Sequence, residues 1–438
     1  MTNALLIFLG KFIIFISRLF NLGNGSTWPG HIALLINKNF IKDLLITNNQ
    51  KLKTILIAGT NGKTTTGKLV QTILERSGKK VFQNTAGANL LNGIASSLLL
   101  HSDILSARIN YDFAIFEIDE NTLPLILKEI KNPDFVIILN LFRDQLDRYG
   151  EVNTISKKWS DALGKLDERT TLILNADDPQ VASLRLHPKG VNTKFFGLND
   201  KSLATSEKQH AADSNYCPKC GSKLHYSAVY YSHLGNWTCL KCNNTRPKLD
   251  ISTSSVFPLL GVYNRYNTIA AILLAQEVGI SKNKIISALK DFQPAFGRQE
   301  TLSINGKKVQ IFLSKNPTSL NESLKTISDL KAKNLLLVLN DRIPDGRDVS
   351  WIWDVDFEDY IDEFSNIVIS GDRTYDMALR IKYSQPIIHD SLFIIQEDLR
   401  KAIAMSLEKT PKPEILYILP TYSAMLEVRK ILTGRRIL

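Results

Sequence analysis

The chain has 438 residues, 44% of them hydrophobic, with 54 lysines and arginines against 43 aspartates and glutamates for a formal net charge of +11. Such a composition excludes wholesale disorder, a fibrous repeat and a multi-span membrane protein, and the length calls for two or three domains. The positive balance suits an anionic partner (nucleic acid, an acidic membrane surface or a phosphate-bearing substrate) without choosing among them.

Residues 1–50 read as an N-terminal amphipathic helix and a lead-in segment. Positions 4–20 are strongly apolar, interrupted by Lys11 and Arg18. Asn3, Gly10 with Lys11, and Ser17 with Arg18 recur every seven residues and make one narrow polar stripe. The run falls short of the ~20 clean apolar residues a spanning helix needs. Two readings stay open: an interfacial helix on a peripheral membrane surface, its two cations facing headgroups, or a helix packed on protein. The apolar start has no basic leader and no small-x-small cleavage site after it, and all cysteines lie between 217 and 242, so we expect a reducing cytoplasm.

After a turn-rich stretch at 21–30, positions 53–58 read as a buried strand feeding a glycine loop and a helix from about 64 to 77. Strand-like runs at 113–117, 135–139 and 171–174 alternate with helical sequence, predicting a parallel sheet flanked by helices. The segment 213–247 breaks that rhythm and reads as an insertion. Alternation resumes with strand-like runs at 335–339, 367–370 and 415–419. The expected division is therefore 51–300 for a first α/β domain and 301–438 for a second, smaller one.

Gly59-Thr60-Asn61-Gly62-Lys63-Thr64-Thr65 sits between the first buried strand and its helix, where a phosphate loop belongs. Glycines let backbone N–H groups turn inward around phosphate oxygens, and the helix start adds partial positive charge. Lys63 would bridge the β- and γ-phosphates and the Thr64 hydroxyl would ligate Mg2+. With Ile57 where the longer loop has its first glycine, this is a shortened variant. Cys217-x-x-Cys220 and Cys239-x-x-Cys242, separated by 18 residues, have the spacing of a zinc ribbon. Four thiolates close the coordination sphere, so the expected Zn2+ is structural, with His225 and His233 as bystanders.

These motifs carry a resemblance. The loop Gly-Thr-Asn-Gly-Lys-Thr-Thr resembles that of the Mur ligases and folylpolyglutamate synthases, which use ATP to activate a carboxylate as an acyl phosphate. Further segments match in order: Glu117-Ile118-Asp119-Glu120, whose first Glu is implied to ligate Mg2+; Asn140 to Asp144 with Asp147 and Tyr149; Asn175-Ala176-Asp177-Asp178; Asn264 and Asn267, implied to contact adenine; Gly297-Arg298, whose arginine is implied to reach phosphate; and Ser314-Lys315-Asn316-Pro317, implied to bring Lys315 to phosphate. Two positions depart from the family: Gln145 replaces its usual His, and Leu313 stands where an acidic residue often precedes the lysine. Taken singly, Asp119, Glu120, Asp177 and Asp178 read as solvated surface carboxylates.

An Asp-Gly pair such as Asp345-Gly346 is by itself a turn. The run 345–357, with the inserted ribbon and the short lead-in, nevertheless closely resembles the MurT-type ligase subunits of lipid II isoglutaminyl synthase, and the likeness covers nearly the whole chain. It implies a Mur-ligase central domain with an inserted zinc ribbon and a Rossmann-like C-terminal domain. It further implies ATP-dependent amidation of the D-glutamate α-carboxylate of the lipid II stem peptide, and a glutamine amidotransferase partner of the GatD type. Asp348 is implied to complete that partner's Cys–His pair by orienting the imidazole. Glutamine-driven amidation needs a thiolate, and with four cysteines assigned to zinc the chain has none to spare. Two alternatives stand beside this reading. One is an amino-acid-adding Mur or folylpolyglutamate-type ligase. The other is a zinc-ribbon phosphate-loop protein that binds nucleic acid, which the lack of interleaved aromatic and basic residues disfavours.

Overall fold

The computed structural model describes residues 3–19, 27–48, 52–84, 87–144, 152–186, 190–205, 208–209, 212–384 and 393–434. Helices α1 (Asn3–Leu19), α2 (Trp28–Ile36) and α3 (Phe40–Asn48) form an N-terminal layer. A parallel sheet follows, built of β1 (Lys53–Ala58), β2 (Val81–Gln83), β3 (Phe113–Ile118), β4 (Phe135–Ile138), β5 (Thr171–Asn175) and β6 (Asn192–Phe196) in the order β2-β3-β1-β4-β5-β6. The connections are α4 (Lys63–Arg76), α5 (Leu91–His101), α6 (Leu123–Glu129), α7 (Val152–Leu163) and α8 (Pro179–Ser183).

The sheet is covered on both faces, which is why its strands are near-continuous apolar runs rather than alternating ones. Successive side chains of β1 point to opposite sides. Leu56 and Ala58 join a core with Leu6, Phe40, Leu98 and Trp159, whereas Ile55 and Ile57 join another with Leu69, Ile73 and Ile269. The second core is closed by α9 (Val262–Glu277) and α10 (Lys282–Lys290).

Between β6 and α9, the hairpin β7 (His225–Tyr231) and β8 (Leu234–Thr238) carries the four cysteines. It is seated on the end of β5: Trp237 Nε1 donates to Ala176 O at 3.0 Å, and Arg246 Nε lies 2.6 Å from Asp177 Oδ1.

A second sheet holds β9 (Arg298–Ile304), β10 (Lys307–Phe312), β11 (Asn334–Val338), β12 (Asn366–Ser370), β13 (Phe393–Ile395) and β14 (Ile415–Pro420), ordered β13-β12-β11-β14-β10-β9. All pairings are parallel except the β9–β10 hairpin, which sequence reading missed. Its helices are α11 (Pro317–Asp329), α12 (Thr374–Tyr383), α13 (Leu399–Lys409) and α14 (Tyr422–Thr433).

The N-terminal layer corrects one expectation and bears on two readings left open. Residues 28–30 open α2 with Pro29 in its first turn rather than ending a turn-rich stretch. Positions 20–26 and the Arg18 side chain lie outside the described residues. Of the two readings of α1, packing on protein holds for the Gly10–Lys11 part of its polar stripe. Lys11 Nζ donates to Ser102 O at 2.6 Å, and a Cβ on Gly10 would come within 2.3 Å of Leu99. Leu6, Ile7 and Ile14 are buried beside that stripe, leaving Phe8, Phe12 and Phe15 outside. Among the described residues no helix is long and apolar enough to cross a membrane.

Candidate active site

The loop 59–65 leaves β1 at the point where strand order reverses between β3 and β4, the place where open α/β sheets bind ligands. Gly59 has φ +139° and Gly62 φ +90°, backbone conformations that favour glycine. A Cβ on Gly62 would also lie 2.1 Å from Asn267 Oδ1, so the start of α9 packs directly on the loop. Asn140 clamps the loop from the end of β4: Asn61 N donates to Asn140 Oδ1 at 2.8 Å, and Asn140 Nδ2 returns a bond to Asn61 O at 3.0 Å.

Lys63 opens α4 and curls back over the loop, its Nζ donating to Gly59 O at 2.5 Å and Thr60 O at 3.2 Å while standing 3.6 Å from Glu120. The Thr64 hydroxyl donates to Glu117 Oε2 at 2.7 Å, and Gln83 Nε2 donates to Oε1 at 2.7 Å. Glu117 is buried, and burial raises its pKa against the opposing pull of Arg298 and Thr64. Burial likewise raises the Glu120 carboxyl, with Lys63 and Lys315 opposing. Glu120 Oε1 and Asp144 Oδ1 are buried without hydrogen-bond partners among the described residues. The Thr64 hydroxyl and the Glu117 carboxylate stand as two adjacent oxygen donors at the loop, a pair that fits a divalent cation.

The second domain completes the site. Arg298, Leu313, Lys315, Ser319 and Glu322 line the same cavity as the loop, Glu117, Asp119 and Asn267; its volume is about 290 Å³. Lys315 Nζ pairs with Asp144 Oδ2, and although burial opposes it, Asp144 and Glu120 raise the lysine's pKa. Asn316 caps α11 by accepting from Ser319 N at 2.9 Å, and its amide also reaches Asn61.

Asp119 and Glu120 are thus buried cavity residues, not the solvated carboxylates expected of them singly. Asp177 and Asp178 are also buried, but as structural groups. Asp177 accepts from Tyr266 Oη at 2.6 Å and pairs with Arg246, and burial pushes its pKa up to about 6. Asp178 caps α8 through Gln180 N and Val181 N and accepts from Leu141 N at 2.8 Å. Gln145, Asp147 and Tyr149 lie outside the described residues.

Asp348 stands apart from the cavity, exposed on the loop after β11. Ser350 N donates to its Oδ1 at 2.8 Å, and hydrogen bonds from Ser350 hold its carboxyl below the usual range. The neighbouring Asp345 is buried instead, accepting from Ser423 N at 2.8 Å to fix the loop.

The four cysteine Sγ atoms lie within 4.8 Å of one another. Sγ separations are 3.7 Å for Cys217–Cys242 and 3.5 Å for Cys220–Cys239. A tetrahedral metal with ~2.3 Å bonds to sulfur has edges of ~3.8 Å, so the thiols are spaced to hold one. Neither His225, exposed, nor His233, buried 3.4 Å from Asp178, joins them.

Sequence reasoning missed Tyr231, Tyr263, Glu322 and Tyr422 on the cavity wall. Glu322 stands on the wall where Leu313 replaces the expected acid. Burial pushes its pKa up to about 7, and Gln209 Nε2 donates to Oε1 at 2.9 Å. No local motif marks these residues, because they reach the cavity from four separate segments.

Comparison with known proteins agrees with this geometry. Residues 57–275 match the Mur ligase middle domain and residues 313–425 the MurT ligase C-terminal model. The chain is 32% identical over 437 residues to the lipid II isoglutaminyl synthase (glutamine-hydrolyzing) subunit MurT of Streptococcus pneumoniae strain R6, covering 95% of this chain and 94% of that one. It is 30% identical to the same-named subunit of Staphylococcus aureus strain COL, covering 88% of each. Among solved structures, a pseudomurein peptide ligase type C from Methanothermus fervidus superposes with a TM-score of 0.65 at 23% identity, covering 90% of this chain and 81% of the other. The MurF ligase from Thermotoga maritima in complex with ADP gives a TM-score of 0.60 at 15% identity, covering 90% and 81%. These two likenesses establish the fold.

Proposed function

The chain belongs to the MurT family of Mur ligases, and from that membership we propose that it is the ligase subunit of a lipid II isoglutaminyl synthase in peptidoglycan synthesis. The observation that carries the reading is the convergence of Lys63, Thr64, Glu117, Arg298 and Lys315, from both domains, on one cavity. The substrate is the D-glutamate α-carboxylate of the lipid II stem peptide, and the product is the D-isoglutamine amide. The match of 313–425 to the MurT C-terminal model favours amidation over addition of an amino acid.

The loop 59–65 would hold the phosphates of ATP and Asn267 would meet its adenine. Thr64 and Glu117 would hold Mg2+, which supplies neutralisation of phosphate charge when bound. A carboxylate oxygen of the substrate forms a bond to the γ-phosphorus, and ADP leaves. Lys63, Arg298 and Lys315 neutralise the charge on the transferring group. Ammonia then bonds to the carbonyl carbon, and phosphate and a proton depart. A GatD-like glutaminase partner supplies the ammonia, and Asp348, exposed and held ionised by Ser350, orients that partner's histidine. Cys217, Cys220, Cys239 and Cys242 hold a structural Zn2+ that makes the hairpin a zinc ribbon. The protein works in the cytoplasm at the inner face of the membrane, where a lipid-anchored substrate presents its peptide.

The acyl-phosphate route is tested with a stem-peptide substrate bearing heavy oxygen in the D-glutamate α-carboxylate. One labelled oxygen should appear in the phosphate released during amidation. Amide product with unlabelled phosphate would overturn the route.

A further inference from the structure

We propose that the outward faces of α1 and α2 form a docking surface that seats the protein on an anionic lipid bilayer. The inference rests on the reading that the substrate is lipid-linked, and it adds where the chain meets the lipid. Leu5, Phe8, Phe12 and Phe15 follow the spacing of one helix stripe, and all are exposed, Phe15 at 61%. On α2, Trp28 and Leu35 are each 68% exposed and Ile36 stands beside them. Such clustering of large apolar side chains on adjoining helices marks an interaction surface.

The rotation of α1 is fixed, so the stripe cannot turn inward. Its opposite side is pinned by Gly10 against Leu99 and by Lys11 on the Ser102 carbonyl. The helix thus buries Leu6, Ile7 and Ile14 with Gly10 against its own core, yet leaves Leu5, Phe8, Phe12 and Phe15 as a second apolar stripe with no cover among the described residues.

Charge and composition select lipid over a second copy. Before Asp43 the chain has no acidic residue, while Lys38 is exposed beside the patch and Lys42 is half-buried. Two copies meeting through this face would oppose like charges, whereas anionic headgroups would complement them. Phenylalanine and tryptophan next to lysine are the residues that settle at an acyl–headgroup boundary.

Placement ties the surface to the reaction. Gly30 N donates to Ser96 Oγ of α5 at 2.8 Å, and Gly10 packs on Leu99 of the same helix. That helix begins directly after Asn89 and Leu90, which line the catalytic cavity. One rigid 11-residue helix, ~16 Å long, therefore links the lipid-facing layer to the cavity wall.

The test is co-sedimentation of the full chain with phosphatidylglycerol–phosphatidylcholine vesicles, compared with the combined Phe8→Ser, Phe12→Ser and Phe15→Ser variant. Wild type should pellet with the vesicles, and the variant should bind at least about tenfold more weakly. Leu240→Ser, which alters an equally exposed leucine on the cysteine hairpin, should bind like wild type. Ammonium-driven amidation of a water-soluble stem peptide should be equal in all three proteins. If no protein makes that product, the ligase reading fails, while the sedimentation result still judges the surface. Should the triple variant not fold, Trp28 provides a second readout: brominated lipid should quench fluorescence that Trp28→Phe removes. Wild type left in the supernatant, unchanged binding by the variant, or a variant that instead loses self-association or partner binding would overturn the proposal.

Discussion

The side-chain amides of Asn61 and Asn316 bond each other reciprocally, Asn316 Nδ2 donating to Asn61 Oδ1 at 3.1 Å and Asn61 Nδ2 to Asn316 Oδ1 at 3.4 Å. One residue sits in the loop 59–65 of the first domain and the other caps α11 of the second. The pair therefore holds Lys315 beside the loop. Asn316→Ser keeps an oxygen at the helix cap but loses the reach to Asn61. KM for ATP should rise about fivefold, as loss of a hydrogen bond worth ~1 kcal/mol would give, while the melting temperature barely moves. An unchanged KM would show that the amide pair does not position the two domains.

Lys63→Ala should lower amidation by about a hundredfold or more, the scale of removing a charge placed at the transferring phosphoryl group. The variant also leaves the buried Glu120 without its nearest counter-charge, so some loss of thermal stability should accompany the loss of activity. Full ligase activity in the variant would overturn the loop assignment.

Asp348→Asn should abolish glutamine-driven amidation by the complex, by up to ~10⁴-fold if it mirrors other triads, and leave ammonium-driven amidation intact. The carboxylate is exposed and apart from the cavity that holds Lys63 and Arg298, so the two activities should separate cleanly. Equal loss of both would place Asp348 in folding or assembly instead.

Glu322 carries a pH signature. Its folded pKa of about 7 lies above the ordinary 4.5, so the folded state holds a proton that the unfolded chain releases. The stability associated with that proton is complete below pH 4.5 and is lost as pH rises through 7. Unfolding free energy should therefore fall over that interval in wild type. Glu322→Gln should flatten the fall by up to ~3 kcal/mol. Parallel curves for the two proteins, measured by denaturant titration at several pH values, would contradict the shift.

Metal analysis of the purified chain should find one zinc. Its removal should expose the cysteine hairpin to protease, because the buried Trp237 and the bond to Ala176 O depend on the closed thiol cluster. Tyr231 belongs to the same hairpin and lines the cavity, so ATP turnover should fall along with the metal. A metal-free protein with an intact hairpin would remove zinc from the architecture.

Much of the site was legible because its chemistry is local. Gly59, Gly62, Lys63 and Thr64 are contiguous, and the doubled cysteine pairs need only spacing. The buried strands were legible as apolar runs, since both faces of each sheet are covered. What escaped was whatever tertiary packing decides. β2 and β13 have three residues each, too few for a pattern, and Pro29–Gly30 reads as a turn until Ser96 and Asn92 take the glycine against α5. The facing of Lys11 could not be read from helical period, which places a stripe but not the neighbour it meets. Glu322 and Tyr422 reach the cavity only because α11 and α14 start at the ends of adjoining strands in the second sheet.

The most direct test of the central claim is mass spectrometry of lipid II incubated with the full chain, ATP, Mg2+ and ammonium, with and without a glutaminase partner and glutamine. The expected product is lighter by the exchange of a hydroxyl for an amino group, located on the D-glutamate residue and formed only when ATP is present. Lipid II that keeps its mass under every condition, or that gains an amino acid instead, would contradict the amide-ligase account.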